Sequence, residues 1–349
     1  MRVDALLRSS PVTAPERARQ LEAAGFDGTW TGEMNHDPFI PLVRAAEHTE
    51  RIELGTNIAV AFARSPMNTA HMAWDLQLLS EGRFTLGLGS QIKAHISRRF
   101  SMPWSRPAAR MEEYISALHA IWDIWESGGR LDFRGDFYQH TYTTPLFCPA
   151  PLECARPKVF LAAVGPLMTR VAGRVADGLL CHSFTTADYL RDVTVPALRA
   201  GEAAAGRPAG SAEASLGILT VNTQRAEDFE QQAFATRLRI AFYGSTPAYR
   251  GVLEHHGWGD AQTELRDLSL QGRWEEMAGV IDDDMLHTIA AVGTPDEIAA
   301  IVAARYGDLI DRFTVLSVSG GTPTEPEIDR EAEAELLACL RGSFEPSGH

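Results

Sequence analysis

Two side chains that could move a proton follow the second predicted strand, at residues 27–31. Glu33 and His36 stand in a loop of mostly polar residues that runs from position 32 to position 38. Imidazole has an ordinary pKa close to neutrality, which makes His36 a candidate general acid or base. A lone loop histidine can also be structural, and that alternative stays open, with Glu33 as the second candidate.

A cluster of basic side chains follows the fourth predicted strand, in a stretch without aspartate or glutamate. The whole chain has a formal net charge of −14, from 46 acidic and 32 basic residues, so this cluster is a local exception. It indicates an anion site at the end of that strand. The alternative is a solvated loop paired with acidic neighbours. Its members are Lys93, Arg98, Arg99, Arg106 and Arg110.

A turn of small residues joins the fifth predicted strand to the next helix. The strand ends at Ala163, and Val164, Gly165 and Pro166 lead directly into the helix. The first N–H groups of a helix have no acceptor within it, and they favour anions. The turn is therefore a candidate phosphate site, although a plain connecting turn has the same pattern.

The third predicted strand begins at Ile52 and is interrupted. Gly55 inside it indicates a bulge or a close backbone approach, and a helix follows directly after Pro66. An interrupted strand that feeds a loop at its C-terminal end is where α/β enzymes hold ligands. An ordinary core strand with one tolerated glycine is the alternative.

Three other kinds of site do not match the sequence. A dinucleotide fingerprint on Gly87 and Gly89 would need a third glycine at the position of Ile92. Ser90 is not in a nucleophile elbow, because Leu88 and Ile92 stand where that motif needs glycine. The eleven histidines have no metal-ligand spacing, so we predict no metal site.

The strands and helices that must position these groups alternate along the chain, which predicts a (β/α)8 TIM barrel, with a doubly wound sheet as the alternative. We predict a single domain over residues 1–349, with insertions near 91–107, 128–157 and 244–285 and a mobile C-terminal tail. Capping boxes predict helix starts at Thr13 and Thr294. The eight strands are expected at 2–7, 27–31, from 52 onward, 83–89, 158–163, 177–183, 216–222 and 313–318.

Composition limits the partners and the compartment. The excess of acidic residues argues against a nucleic-acid partner, which needs a basic face. No apolar run approaches the ~18 residues of a membrane span, and no secretory signal is visible. The four cysteines form no CxxC pair, which predicts reduced thiols in a cytoplasmic protein.

Taken together, these segments resemble the luciferase-like monooxygenase superfamily, and within it the oxidoreductases that use the deazaflavin coenzyme F420. The resemblance covers nearly the whole chain and rests on the order and spacing of its segments. It implies a barrel with insertions, usually a homodimer, and a non-prolyl cis peptide in the third strand at about Asn57–Ile58. The resembling segments are residues 25–28 before the Glu33/His36 loop, 54–58, 82–90, 110–122, 165–178 and 292–295.

The resemblance also implies which residues contact the cofactor. The bulge supports one face of a flavin or deazaflavin ring, and the turn after the fifth strand holds the phosphate. Related enzymes that dehydrogenate sugar phosphates often have an Asp-His pair in the second loop, and here either His36 or Glu33 takes the histidine's role. The implied cofactor contacts are Asn57, Ile58, Gly89, Ser90, Gln91, Ala163, Val164, Gly165 and Pro166, with Lys93, Arg98 and Arg99 from the basic cluster.

These implications predict an F420-dependent oxidoreductase that transfers a hydride between the deazaflavin and a small organic substrate. One alternative is an FMN-dependent two-component flavin monooxygenase, supplied by a separate cofactor reductase. A second alternative is a flavin- or deazaflavin-binding protein without turnover, which would need no ordered acid or base beside the ring. The substrate and the direction of hydride transfer stay open.

Overall fold

The computed structural model describes residues 1–224, 226–317 and 330–344. In this part of the chain, eight parallel strands close into a barrel, because the seventh strand pairs with both the sixth and the eighth. The closure confirms the predicted (β/α)8 barrel and excludes the doubly wound sheet. Around the barrel the strands are β1 (Arg2–Leu6), β2 (Gly28–Thr31), β3 (Glu53–Thr56), β5 (Phe84–Gly89), β8 (Lys158–Ala163), β9 (Gly178–Cys181), β10 (Glu213–Asn222) and β12 (Arg312–Ser317).

Four short strands lie outside this ring. β4 (Ala59–Val60) continues the third barrel strand, and β11 (Ala291–Gly293) pairs with the end of β10. β6 (Phe133–Arg134) and β7 (Gln139–His140) form an antiparallel hairpin within the insertion predicted near 128–157. The predicted end of the last strand, at residue 318, and the C-terminal tail lie outside the described residues.

Helices surround the barrel and follow most of its strands. No described helix is long and apolar enough to cross a membrane. The helices are α1 (Ala14–Ala24), α2 (Ile40–Ala46), α3 (Pro66–Leu79), α4 (Pro107–Ser127), α5 (Pro166–Val175), α6 (Ala187–Tyr189), α7 (Val195–Ala204), α8 (Ala226–Gly244), α9 (Arg250–His255), α10 (Gly259–Leu270), α11 (Trp274–Met277), α12 (Asp283–Ile289), α13 (Pro295–Tyr306) and α14 (Arg330–Phe344).

One of the two predicted capping boxes is present. At α13 the Thr294 hydroxyl accepts from the Glu297 N–H, and the Glu297 carboxylate accepts from the Thr294 N–H. The box predicted at Thr13 is wrong, because the backbone of Thr13 is already helical. A turn that begins at Ser10 precedes α1, with the Ala14 N–H donating to the Ser10 carbonyl, and Thr13 at the N-cap makes no side-chain capping hydrogen bond.

The inside of the barrel is polar at the N-terminal ends of the strands. Arg312 donates to both carboxylate oxygens of Asp4, each at 2.8 Å, and to Glu53 at 2.6 Å. Burial acts to lower the pKa of Arg312, but the carboxylates of Asp4 and Glu53 raise it above its ordinary value. The guanidinium therefore stays charged. Trp30 donates to Asp4 at 2.9 Å, which joins the polar layer to the apolar layer above it.

Apolar side chains fill the rest of the barrel interior and form two clusters outside it. Trp30, Phe160 and Leu180 form the inner layer. The main core lies between the outer strand faces and the helices. A third cluster joins Leu219 and Val221 of β10 to the segment from α8 to α12, so this segment packs on the C-terminal half of β10. The segment thereby places its side chains beside the rim where active sites of such barrels lie.

We predict that Gly55→Ala destabilises the protein, because a Cβ at Gly55 would lie 2.2 Å from the ring of Trp30. Overpacking of this kind costs about 2 kcal/mol of unfolding free energy. Urea denaturation measures the change. Gly279→Ala is the matched control, since a Cβ at Gly279 has no atom within 4 Å. Equal stability of the two variants would contradict the role given to Gly55.

Candidate active site

The third barrel strand contains a bulge near its C-terminal end. Gly55 pairs with Thr85 and Ala59 pairs with Leu88, so the bulged strand has one residue more than β5 between these pairs. The Thr56 hydroxyl donates to the Gly87 carbonyl at 2.7 Å and accepts from the Gly87 N–H at 2.9 Å. This hydroxyl replaces the ladder hydrogen bonds that the bulge interrupts.

The predicted bulge is therefore confirmed, and so is the cis peptide at Asn57–Ile58. Two glycines of β5 leave room for it. A Cβ at Gly87 would lie 1.8 Å from the Thr56 carbonyl oxygen, and one at Gly89 would lie 2.9 Å from the side chain of Ile58. A side chain at Gly87 would thus displace the backbone of the bulge, and one at Gly89 would displace the side chain of Ile58.

Glu33 holds the bulge in place. Its N–H donates to the Ile58 carbonyl at 3.1 Å. Its carboxylate, whose side chain is only 7% exposed, accepts from the Val60 N–H at 2.8 Å and from Arg64 at 2.6 Å. Burial acts to lower the pKa of Arg64, but the carboxylates of Glu33 and Asp37 raise it overall. These contacts favour a positioning role for Glu33 over an acid/base role.

His36 is exposed at the outer part of the same loop. Its neighbour Asp37 is fixed, because one carboxylate oxygen accepts from the Phe39 N–H at 2.8 Å and the other accepts from Arg64 at 3.0 Å. The imidazole itself has no hydrogen bond or ion pair within residues 1–224, 226–317 and 330–344. His36 is therefore free to meet a ligand, and it remains the candidate acid or base of this loop.

The chain turns sharply at the end of β5. The Ser90 hydroxyl donates to the Gln91 carbonyl at 3.1 Å, and the Gln91 side chain accepts from the Ile92 N–H at 3.0 Å. Gln91 has a φ of +58°, in the left-handed region. Both side chains make local hydrogen bonds beside Gly89, which pairs with Val60 of the bulged strand. They lie at the rim where the prediction placed them.

The turn after β8 has the geometry of an anion site. α5 begins at Pro166, and the preceding Gly165 has an extended backbone and no side-chain cap. The buried Ala163 and the half-buried Val164 lead up to it. A Cβ at Gly165 would have no atom within 4 Å, so the space beside this residue is open. An anion could accept from the first-turn N–H groups of α5 without displacing a side chain.

The basic cluster separates into two parts. Arg110 is buried and donates to the Tyr138 hydroxyl at 2.8 Å and to the Pro103 carbonyl at 2.6 Å. Arg106 forms an ion pair with Asp136 at 3.0 Å. Both arginines hold the hairpin of β6 and β7 against α4. The alternative of a loop paired with acidic neighbours is thus correct for Arg106.

Lys93, Arg98 and Arg99 form the second part, close to the rim. All three are exposed, and Arg98 and Arg99 belong to a π-helical turn at His95–Arg99. Arg99 donates to the Met34 carbonyl at 2.7 Å, which joins this segment to the loop of Glu33 and His36. Lys93 and Arg98 have no ion-pair partner in the described part of the chain. They remain available to an anionic ligand.

The sequence reasoning missed His182, which directly follows β9. Its ring lies 4.6 Å from the rings of both Tyr243 and Tyr249, and its Nδ1 accepts from the Phe184 N–H at 3.0 Å. Burial lowers the pKa of His182 to about 4. The available signal was its position after the sixth barrel strand. The described residues contain no group of three or more His, Cys, Asp or Glu suited to a metal ion.

We predict that Glu33→Gln lowers the free energy of unfolding by about 2 kcal/mol, because it weakens two hydrogen bonds to a charged and nearly buried group. The control is Glu47→Gln, which breaks the exposed Arg44–Glu47 pair at 2.7 Å and should cost under about 0.5 kcal/mol. Urea denaturation compares the two variants. If both variants lose a similarly small free energy of unfolding, Glu33 does not position the bulge and is again a candidate acid or base.

Comparison with known proteins gives the family. A family model described as luciferase-like monooxygenase matches residues 5–312. An uncharacterized protein of Mycobacterium tuberculosis is 50% identical over 312 residues, covering 89% of this chain and 92% of that protein. The 5,10-methylenetetrahydromethanopterin reductase of Archaeoglobus fulgidus is 26% identical over 325 residues and 90% of each chain.

The solved structures agree on the fold. The coenzyme F420 dependent tetrahydromethanopterin reductase from Methanopyrus kandleri matches with a TM-score of 0.75 and 21% identity, over 97% of this chain and 96% of that chain. The family model matches most of this chain, which therefore belongs to the luciferase-like monooxygenase family.

Proposed function

We propose that this chain is an F420-dependent oxidoreductase that transfers a hydride between the deazaflavin and a small organic substrate. The observation that carries the proposal is the pair of exposed, unpaired cations Lys93 and Arg98 at the rim, within the described residues of a chain with a net charge of −14. Coenzyme F420 bears a phosphate and a tail of glutamates, and it is therefore far more anionic than FMN. The F420-dependent reductase with the same fold supports the assignment.

The residues at the rim fit such a cofactor. The bulge at Asn57 and Ile58 offers backbone to one face of a planar ring, and Gly89 beside it carries no side chain that could obstruct the ring. The open turn at Gly165 suits a phosphate. Lys93 and Arg98 suit the carboxylates of the tail, since a cation at the surface attracts them over about 10 Å at 0.1 M salt.

When bound, the deazaflavin supplies a hydride donor or acceptor on its central ring. The remaining tasks belong to the chain. Glu33 and Arg64 fix the bulge, which would support the ring. His36 gives a proton to the substrate oxygen or takes one from it, depending on the direction of the reaction. The barrel excludes water below the ring through the layer of Trp30, Phe160 and Leu180.

The second candidate is an FMN-dependent monooxygenase, which the description of the family model favours. Titration of the protein with F420 and with FMN, followed by cofactor fluorescence, separates the two functions. The proposal expects F420 to bind and to be turned over with a small alcohol or ketone. Tight binding of FMN without binding of F420 would overturn it, and binding of F420 without turnover would favour a cofactor-binding protein.

We predict that the affinity for F420 falls with ionic strength, and that Lys93→Ala with Arg98→Ala flattens this dependence. Exposed cations add modest affinity each and are screened by salt. FMN lacks the glutamate tail and should respond less. Dissociation constants at several salt concentrations provide the measurement.

Arg106→Ala is the matched control for these cations. It removes an arginine from the same basic cluster, but one already paired with Asp136. The salt dependence of Arg106→Ala should equal that of the wild type. If F420 affinity in the wild type does not depend on salt, Lys93 and Arg98 do not bind the tail.

We also predict that His36→Ala lowers turnover by about 10²-fold while F420 affinity changes little, the usual scale for losing a general acid or base. Steady-state kinetics and cofactor titration of the same variant measure both quantities. His48→Ala is the control, because His48 follows α2 and bonds only the Arg44 carbonyl. If turnover survives and only thermal stability falls, His36 is structural and Glu33 becomes the candidate.

A further inference from the structure

His182 stands beside the proposed phosphate turn. Cys181, the last residue of β9, pairs with Ala163, the last residue of β8, so His182 follows directly beside Val164. Leu180 belongs to the inner layer of the barrel. Because side chains alternate along a strand, His182 lies on the same inner side, at the rim.

The ring of His182 is held in one orientation. Tyr243 meets it edge-on at 4.6 Å, and Tyr249 lies against it at 4.6 Å with a tilt of 35°. Nδ1 accepts from the Phe184 N–H at 3.0 Å, so in the neutral ring the proton is on Nε2. Nε2 has no partner among the residues that the structure describes. The ring therefore presents one fixed, unused hydrogen-bond donor.

This donor carries no charge. Burial lowers the pKa of His182 to about 4, well below the ordinary value of 6.5, so the imidazole is neutral at physiological pH. The rings packed around it are those of Tyr243 and Tyr249, and burial raises the pKa of Tyr249 to about 12. His182 can donate a hydrogen bond in this surrounding without the cost of a buried cation.

A cofactor that contacted both the bulge at Ile58 and the turn at Gly165 would lie beside the Nε2 donor of His182. Ile58 of the bulge packs against the same inner layer as Leu180. A ring supported by Ile58 and a phosphate at Gly165 would place the segment between them along the inner face of β8 and β9, near His182. The part of the cofactor between ring and phosphate is a ribityl chain, whose hydroxyl and phosphate oxygens accept hydrogen bonds.

We propose that Nε2 of His182 donates a hydrogen bond to an oxygen of the ribityl phosphate segment of the bound cofactor. Tyr243 and Tyr249 then act as positioning residues that fix the imidazole from the segment after β10. The inference rests on the proposed function for its ligand, but FMN has the same segment. It can therefore be tested separately from the choice between F420 and FMN.

Two substitutions test the donor. His182→Phe keeps an aromatic ring against the two tyrosines and removes the donor, and it should weaken F420 binding by about tenfold, the scale of one hydrogen bond. His182→Gln keeps an N–H donor and should restore part of that affinity. His71→Phe is the control, since His71 also packs on an aromatic ring, 4.7 Å from Trp125, but on α3 outside the barrel. The F420 affinity of His71→Phe should equal that of the wild type.

A second test uses the wild-type protein and therefore does not depend on whether a variant folds. The ¹⁵N resonances of the His182 ring should show a proton on Nε2 in the free protein, and the Nε2 signal should shift when F420 binds. Deazariboflavin, which has the ribityl chain without the phosphate, identifies the acceptor. A shift with deazariboflavin supports a hydroxyl acceptor, and a shift with F420 alone supports the phosphate.

The outcomes separate the two proposals. If FMN binds and F420 does not, the proposed function fails, and the same shift and the same tenfold loss with FMN still support the role of His182. If the wild type binds either cofactor without a shift at Nε2, and His182→Phe binds as tightly as the wild type, the inference is overturned.

Discussion

The extra residue in the third barrel strand is the constraint on which the rest of the rim depends. A parallel barrel can accept it only if the interrupted ladder is repaired locally, and the Thr56 hydroxyl provides that repair by bonding both backbone groups of Gly87. The packing around it is tight, since a Cβ at Gly55, Gly87 or Gly89 would have no space. Gly87 and Gly89 are thus explained by the bulge, and Gly55 by the ring of Trp30.

The polar layer lower in the barrel supports the same region through a single ring. Asp4 and Arg312 fix the indole of Trp30, and that indole covers Gly55 just before the bulge. A charged group in a barrel interior is costly unless it is paired, and here both carboxylate oxygens of Asp4 are used by one guanidinium. The ion pair and the bulge are consecutive layers of one packed interior.

Much of the fold could be predicted from the sequence because it depends on local pattern. The eight strands, the hairpin and the bulge follow from apolar periodicity, turn residues and one glycine. One failure is local, the capping box expected at Thr13, and the others involve contacts between distant residues. Arg106 looked like a ligand-binding cation until Asp136, thirty positions later, was found beside it. The position of His182 after the sixth strand was its one signal, since the tyrosines that hold it belong to a segment some sixty positions further along.

The two carboxylates on Arg64 have a further consequence for how this rim could change during evolution. Arg64 belongs to the connection after the bulge, yet it binds both Glu33 and Asp37 in the loop of His36. The loop and the bulge are therefore one structural unit, and a loop grafted from another barrel would need its own partner for this arginine. The side of the rim formed by Tyr243 and Tyr249 has no hydrogen bond or ion pair to Arg64 among the described residues. Substitutions on that side can therefore change the rim while the bulge and its contacts with Arg64 are kept.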